Sequence, residues 1–123
     1  MSGITRLHHV SLVVSDTRRA LAFYSGLLGL REVERPNLSF PGAWLQIGEQ
    51  QIHLLEVPNP DPVAQRPAHA GRDRHTAFLV EDLEGLRSRL DRAGVACTSS
   101  RSGRRALFCR DPDGNACELI AAG

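Results

Sequence analysis

Three imidazoles and one carboxylate hold equivalent places in two copies of one phrase. His9-Val-Ser-Leu-Val-Val-Ser-Asp16 is answered 66 positions later by His75-Thr-Ala-Phe-Leu-Val-Glu-Asp82. Ile52-His53-Leu54-Leu55 is answered by Cys117-Glu118-Leu119-Ile120 at an offset of 65. A repeat at nearly constant offset fixes architecture before any residue-level reading. The repeated positions His9, His53, His75 and Glu118 are all competent metal ligands, so the spacing predicts one divalent ion per complete site. Nitrogen and carboxylate donors suit Zn, Ni, Co, Fe or Mn and do not select among them.

Strand parity supports the same set. On residues 6–14, Val10, Leu12 and Val14 share one face and leave His9 on the other; on 75–80, Thr76, Phe78 and Val80 leave His75 on the other. Ile52 and Leu54 oppose His53, and Cys117 and Leu119 oppose Glu118. All four candidates therefore take the face away from the apolar rows. A carboxylate is costly to bury unpaired there, and a bound cation removes that cost. His8 has the wrong parity, and His69 lies in a Pro-rich stretch without a counterpart; neither is expected in the site.

The elements that must position these residues repeat as well. A strand over 6–14 is followed by an Asp16 cap and a helix carrying Ala20, Leu21, Phe23, Tyr24, Leu27 and Leu28, ending near Gly29. Extended runs over 30–35, 43–47 and 51–57 complete a β-α-β-β-β module of about 5–57. Residues 58–71, rich in proline, form a linker. A second module of about 74–121 has a strand over 75–80, an Asp82-capped helix ending at Gly94, and strands over 95–99, 106–110 and 116–120. Asp111-Pro-Asp-Gly114 makes the turn between the last two. The expected fold is α+β: one domain over 1–123, its two βαβββ modules forming a curved mixed-sheet cup with helices on the convex side.

Composition excludes several function classes. A net charge of +1 over 123 residues offers no footprint for nucleic acid. Arg72, Arg74, Arg101, Arg104 and Arg105 read as a solvated face with acids interspersed. No run approaches the length of about 18 apolar residues that a membrane span needs. The start lacks the apolar core of a signal peptide, which points to the cytoplasm. Cys97, Cys109 and Cys117 are odd in number and fit reduced thiols, although Cys109 and Cys117 could face each other across a hairpin.

These motifs, with Ala22-Phe23-Tyr24, Leu28-Gly29-Leu30 and Asp111-Pro-Asp-Gly-Asn115-Ala-Cys-Glu118-Leu, resemble the glyoxalase/bleomycin-resistance/dioxygenase group, the vicinal oxygen chelate superfamily. The resemblance covers nearly the whole chain and implies metal positions at His9, His53, His75 and Glu118. It also implies a homodimer, with the site built within one chain or across the subunits. Exposed strand edges and a pseudo-twofold agree with a twofold dimer.

Ligand count then separates the chemistries. Four protein ligands leave an octahedral ion two positions, enough for neighbouring substrate oxygens. The resemblance therefore implies a lyase or isomerase acting on a small molecule through a metal-bound enediolate, with Glu118 as the base. Phe108 is expected to line the pocket, and Arg105, with Arg104 beside it, to meet an anionic substrate; Trp44 either joins them or packs in the core. The alternatives are a metal-free drug-sequestering protein of the bleomycin-resistance type, a fosfomycin-type thiol transferase and a ring-cleaving dioxygenase. Both of the last two use a subset without His53.

Overall fold

The computed structural model describes residues 3–123, which fall into two compact units, one reaching to Asn59 and the other spanning Pro60–Gly123. The first unit carries β1 (His9–Val14), α1 (Thr17–Leu21), β2 (Arg31–Val33), β3 (Gly42–Ile47) and β4 (Gln50–Glu56). The second carries β5 (His75–Val80), α2 (Leu83–Arg92), β6 (Thr98–Ser99), β7 (Ala106–Arg110) and β8 (Ala116–Ala121). Each unit forms a four-stranded sheet, ordered β1-β4-β3-β2 and β5-β8-β7-β6. The first strand pairs in parallel with the last of its unit, and the other pairings are antiparallel. The fold is α+β and the repeat is real at the level of sheet topology.

Both helices begin where the sequence places their caps. Asp16 Oδ1 accepts the N–H of Arg19 at 3.1 Å, and Asp82 Oδ1 that of Gly85 at 3.0 Å, each satisfying a donor the first helical turn leaves free. One face of each sheet then supplies the core. Val14, Ala20, Tyr24, Leu45, Ile52 and Leu54 are buried in the first unit; Leu83, Leu86, Leu90, Leu107, Cys109, Cys117 and Leu119 are buried in the second. The three cysteines are free thiols.

Four local expectations need correction. The helix expected to run from Asp16 to near Gly29 is α-helical only to Leu21; residues Ala22–Leu27 form a π turn, closed by Leu28 N–H donating to Phe23 O at 2.9 Å. Gly26, a poor helix former, sits inside that turn and loosens the α ladder. The run at 30–35 pairs only over Arg31–Val33, ahead of Pro36. The strand expected from Val95 starts at Thr98, because the Val95 N–H closes the preceding helix on Leu90 O at 2.9 Å. The second half of the linker, finally, is no free tether. Arg110 donates to Pro67 O at 2.6 Å and to Asp73 Oδ2 at 2.8 Å, and Ala70 packs with Phe108 and Ala116. Among the described residues no helix is long and apolar enough to cross a membrane.

Candidate functional site

Register sets the candidate residues side by side in both units. Across β1, β4 and β3, Ser11, His53 and Trp44 stand in one row; across β5, β8 and β7 the equivalent row is Ala77, Glu118 and Phe108. His9 and His75 open the first strands of the two sheets. Neighbours in such a row, and residues two apart on the adjoining strand, lie within side-chain reach on the same face.

In the second unit His75 Nε2 lies 3.3 Å from Glu118 Oε1. The other ring nitrogen, Nδ1, is 2.9 Å from the carbonyl oxygen of Asp73. A carbonyl only accepts, so Nδ1 carries the proton and Nε2 turns its lone pair toward the carboxylate in the neutral ring. An orienting acceptor behind the imidazole is the usual support of a metal-bound histidine. Glu118 is 7% exposed, with Arg104 Nη1 3.9 Å from Oε2. The chemistry and placement of this donor pair fit a divalent ion.

Asp73 holds that arrangement in place. Its carboxylate takes Arg110 at 2.8 Å, Arg66 at 3.2 Å and the backbone N–H of Arg74 at 2.8 Å. Burial pushes this carboxyl up, but the Arg110 and Arg74 hydrogen bonds and the charges of Arg66 and Arg110 overcome it and hold it below its ordinary value.

A cavity of about 300 Å³ opens beside the pair, lined in part by His75, Phe108 and Glu118. It also receives His69, Arg72, Ser100, Arg101, Ser102 and Arg104. His69 and His75 each meet the Phe108 ring edge-on at 5.1 Å. Gly71 gives them room, since a Cβ there would meet His69 Nε2 at 2.8 Å and Phe108 Cζ at 3.0 Å. Sequence parity cannot find His69, which sits in a segment without periodicity. Arg104 lines the cavity, whereas Arg105 reaches Glu84 at 3.9 Å and is not among the lining residues.

The first unit arranges its imidazoles differently. His53, 7% exposed, lies between two rings: Trp44 stacks on it at 4.2 Å and 5°, His9 at 3.9 Å and 16°. Trp44 thus stands beside the site residue, as Phe108 does in the second row. His53 Nε2 is 2.7 Å from Gln51 Oε1, whose amide nitrogen donates to Gln46. His9 Nδ1 meets His8 Nδ1 at 2.8 Å, so one of the two is protonated. Burial, then the nearby His9, His8 and Arg35, holds the His53 imidazole below its ordinary pKa and favours the neutral, ligating form. Imidazoles coordinate in their own plane, and two nearly parallel planes 3.9 Å apart do not meet on one ion. Joint ligation by His9 and His53 therefore requires a ring to turn, and exposed His9 is the freer one. Among the described residues of either unit, no three His, Cys, Asp or Glu side chains form a metal-binding group.

Comparison with known proteins agrees with the topology. The model of the Glyoxalase/Bleomycin resistance protein/Dioxygenase superfamily matches residues 6–119. Glyoxylase I 4 of Arabidopsis thaliana is 32% identical over 94% of this chain and 70% of its own. Glutathione transferase FosA of Serratia marcescens is 35% identical over 92% of this chain and 78% of its own. A glyoxalase family protein from Bacillus anthracis superposes with a TM-score of 0.79 at 25% identity, covering 98% of both chains. The chain belongs to the glyoxalase/bleomycin resistance protein/dioxygenase superfamily.

Proposed function

We propose that the chain is a divalent-metal-dependent lyase or isomerase acting on a small molecule with neighbouring oxygens. The observation that carries this reading is the pairing of His75 with the buried Glu118, the imidazole being held in the ligating tautomer by the Asp73 carbonyl. With His9 and His53, the other two residues of the repeated set, as further ligands once the His9 ring turns, an octahedral ion would keep two positions for substrate oxygens. When bound, the ion polarises a substrate carbonyl and makes a neighbouring C–H more acidic.

The chain's own residues do the rest. Glu118 takes the proton from that carbon and returns it to the adjacent one, which suits a carboxylate positioned in a largely buried site. His75 Nε2, facing Glu118 Oε1, would hold the ion beside the carboxylate. Phe108 forms an apolar wall and limits water at the reacting carbon. The strand edges of both sheets suit a homodimer, and the cytoplasm suits its free thiols.

Elemental analysis of protein purified without an affinity tag should find about one divalent ion per ligand set. EDTA should remove it. Metal-dependent exchange of substrate α-protons into D2O, followed by NMR over a panel of hydroxy- and keto-compounds, tests the chemistry. Protein that accepts no ion from Mn to Zn ends the reading.

A second reading is favoured by the sandwiching of His53 between Trp44 and His9. If His53 is a wall and not a ligand, three protein donors remain, as in a fosfomycin-type thiol transferase. The 35% identity to glutathione transferase FosA supports that outcome. Full metal content in His53→Phe, with thiol addition to fosfomycin, would establish it over the first.

A further inference from the structure

The loop between the second and third strands differs sharply between the two units. In the first unit it reads Pro36-Asn-Leu-Ser-Phe-Pro41, and the one neighbouring cation, Arg35, is spent on the Phe40 carbonyl at 2.9 Å and on the Phe40 ring. In the second it reads Ser100-Arg-Ser-Gly-Arg-Arg105. Strand order and the pattern of parallel and antiparallel pairing repeat in the two sheets, so the topology does not demand this basic loop.

Its side chains converge on the cavity beside Glu118. Arg101 and Arg104 line it from the loop, and Arg72 lines it from the turn at Ala70–Arg72. Among the described residues neither Arg72 nor Arg101 has an acidic partner, and Arg104 reaches Glu118 only at 3.9 Å. Surface arginines are commonly paired or solvated, and three around one small concavity repel one another unless an anion joins them. Ser100 and Ser102 Oγ, hydrogen-bonded to each other at 2.8 Å, leave one hydroxyl donor free on the same wall. Burial, then the charges of Arg101 and Arg72, lowers the pKa of His69 on the same wall.

We propose that this cavity is an oxyanion subsite, in which Arg72, Arg101 and Arg104 hold a phosphate, phosphonate or carboxylate group of the substrate beside Glu118. The proposal deepens the metal-enzyme reading by naming the substrate class as anionic, and it rests on that reading only for the word substrate. Guanidinium groups are matched to oxyanions by their planar forks of donors. The cavity volume stands at the lower end for small-molecule sites, which suits a compact acid. The anionic group would fix the molecule at one end and leave the reacting carbon to Glu118 at the other.

Titration of the protein at low ionic strength with inorganic phosphate, methylphosphonate and acetate, followed by 1H–15N NMR, tests this. Saturable shifts are expected at the Ser100–Arg104 amides and on the His69 ring. The double variant Arg101→Ala/Arg104→Ala should weaken binding about tenfold or more, the effect of losing a charged hydrogen bond, with metal content unchanged. Saturation by phosphate and methylphosphonate alone identifies a tetrahedral anion; equal saturation by acetate identifies a carboxylate. Repeating the titration after EDTA separates the two readings. Anion binding that survives chelation supports the arginine subsite whether or not the protein takes metal. Binding that vanishes with the metal, or is unchanged in the double variant, or is absent for all three anions, overturns it and leaves the metal reading standing.

Discussion

His75 Nε2 faces Glu118 Oε1 at 3.3 Å while its Nδ1 is tied to the carbonyl of Asp73 at 2.9 Å. One hydrogen bond thus decides which nitrogen of His75 is available, and the backbone of the residue two places before it makes that bond. The most direct consequence concerns Glu118. Glu118→Gln keeps the shape and an oxygen donor but loses charge and basicity. Turnover should fall by about 10²–10⁴, the usual worth of a general base, while metal content falls only partly. Elemental analysis beside an activity assay checks both halves.

His53→Gln should behave differently. The amide preserves an oxygen that can coordinate, and Gln51 remains to hydrogen-bond it. Metal content should stay near that of the unaltered protein, and turnover within about tenfold, or roughly 1.4 kcal/mol of transition-state energy. Equal and severe losses in the Glu118 and His53 variants would show that their roles are wrongly divided.

The pH dependence of metal-free protein follows from His53. Its folded pKa lies below the ordinary 6.5, so the unfolded chain takes up this proton first as pH falls. Its stabilising contribution is complete above that value and is lost as pH drops through 6.5 toward the folded pKa. Urea unfolding at pH 7.5 and at successive steps below 6.5 should show that loss in EDTA-treated protein. His53→Gln should show a shallower decline.

Asp73 titrates in the opposite sense. With its folded pKa depressed, its contribution is complete above the ordinary carboxylate value of 3.8 and disappears as pH falls through the folded one. Asp73→Asn leaves the Arg110 guanidinium without its anionic partner and should cost about 2–3 kcal/mol. The loss should appear in urea midpoints, and metal affinity should fall with it as His75 loses its fixed setting. Normal stability with normal affinity would remove Asp73 from its positioning role.

Assembly gives a further check. If the complete ligand set draws on two chains, metal binds the dimer and not the monomer, and chelation should loosen the dimer by linkage. Light scattering at micromolar concentration with and without EDTA reads this. A monomer that still holds its ion would rule out a shared site.

The sequence by itself determined the repeat, the caps at Asp16 and Asp82, and the face on which His9, His53, His75 and Glu118 stand. Each of these follows from local rules: strand side chains alternate with period two, and a helix start needs an acceptor for its free N–H groups. Only the tertiary structure decided what surrounds those four residues. His69 and Arg72 come from a segment without periodicity, so their arrival in the cavity depends on Arg110 gripping Pro67 and Asp73. Arg104 and Arg105 are neighbours in sequence, yet one lines the cavity and the other reaches Glu84, because adjacent side chains in an irregular loop share no fixed face. The stack of Trp44, His53 and His9 is likewise set by cross-strand register and ring packing, which a pattern of residue types does not encode.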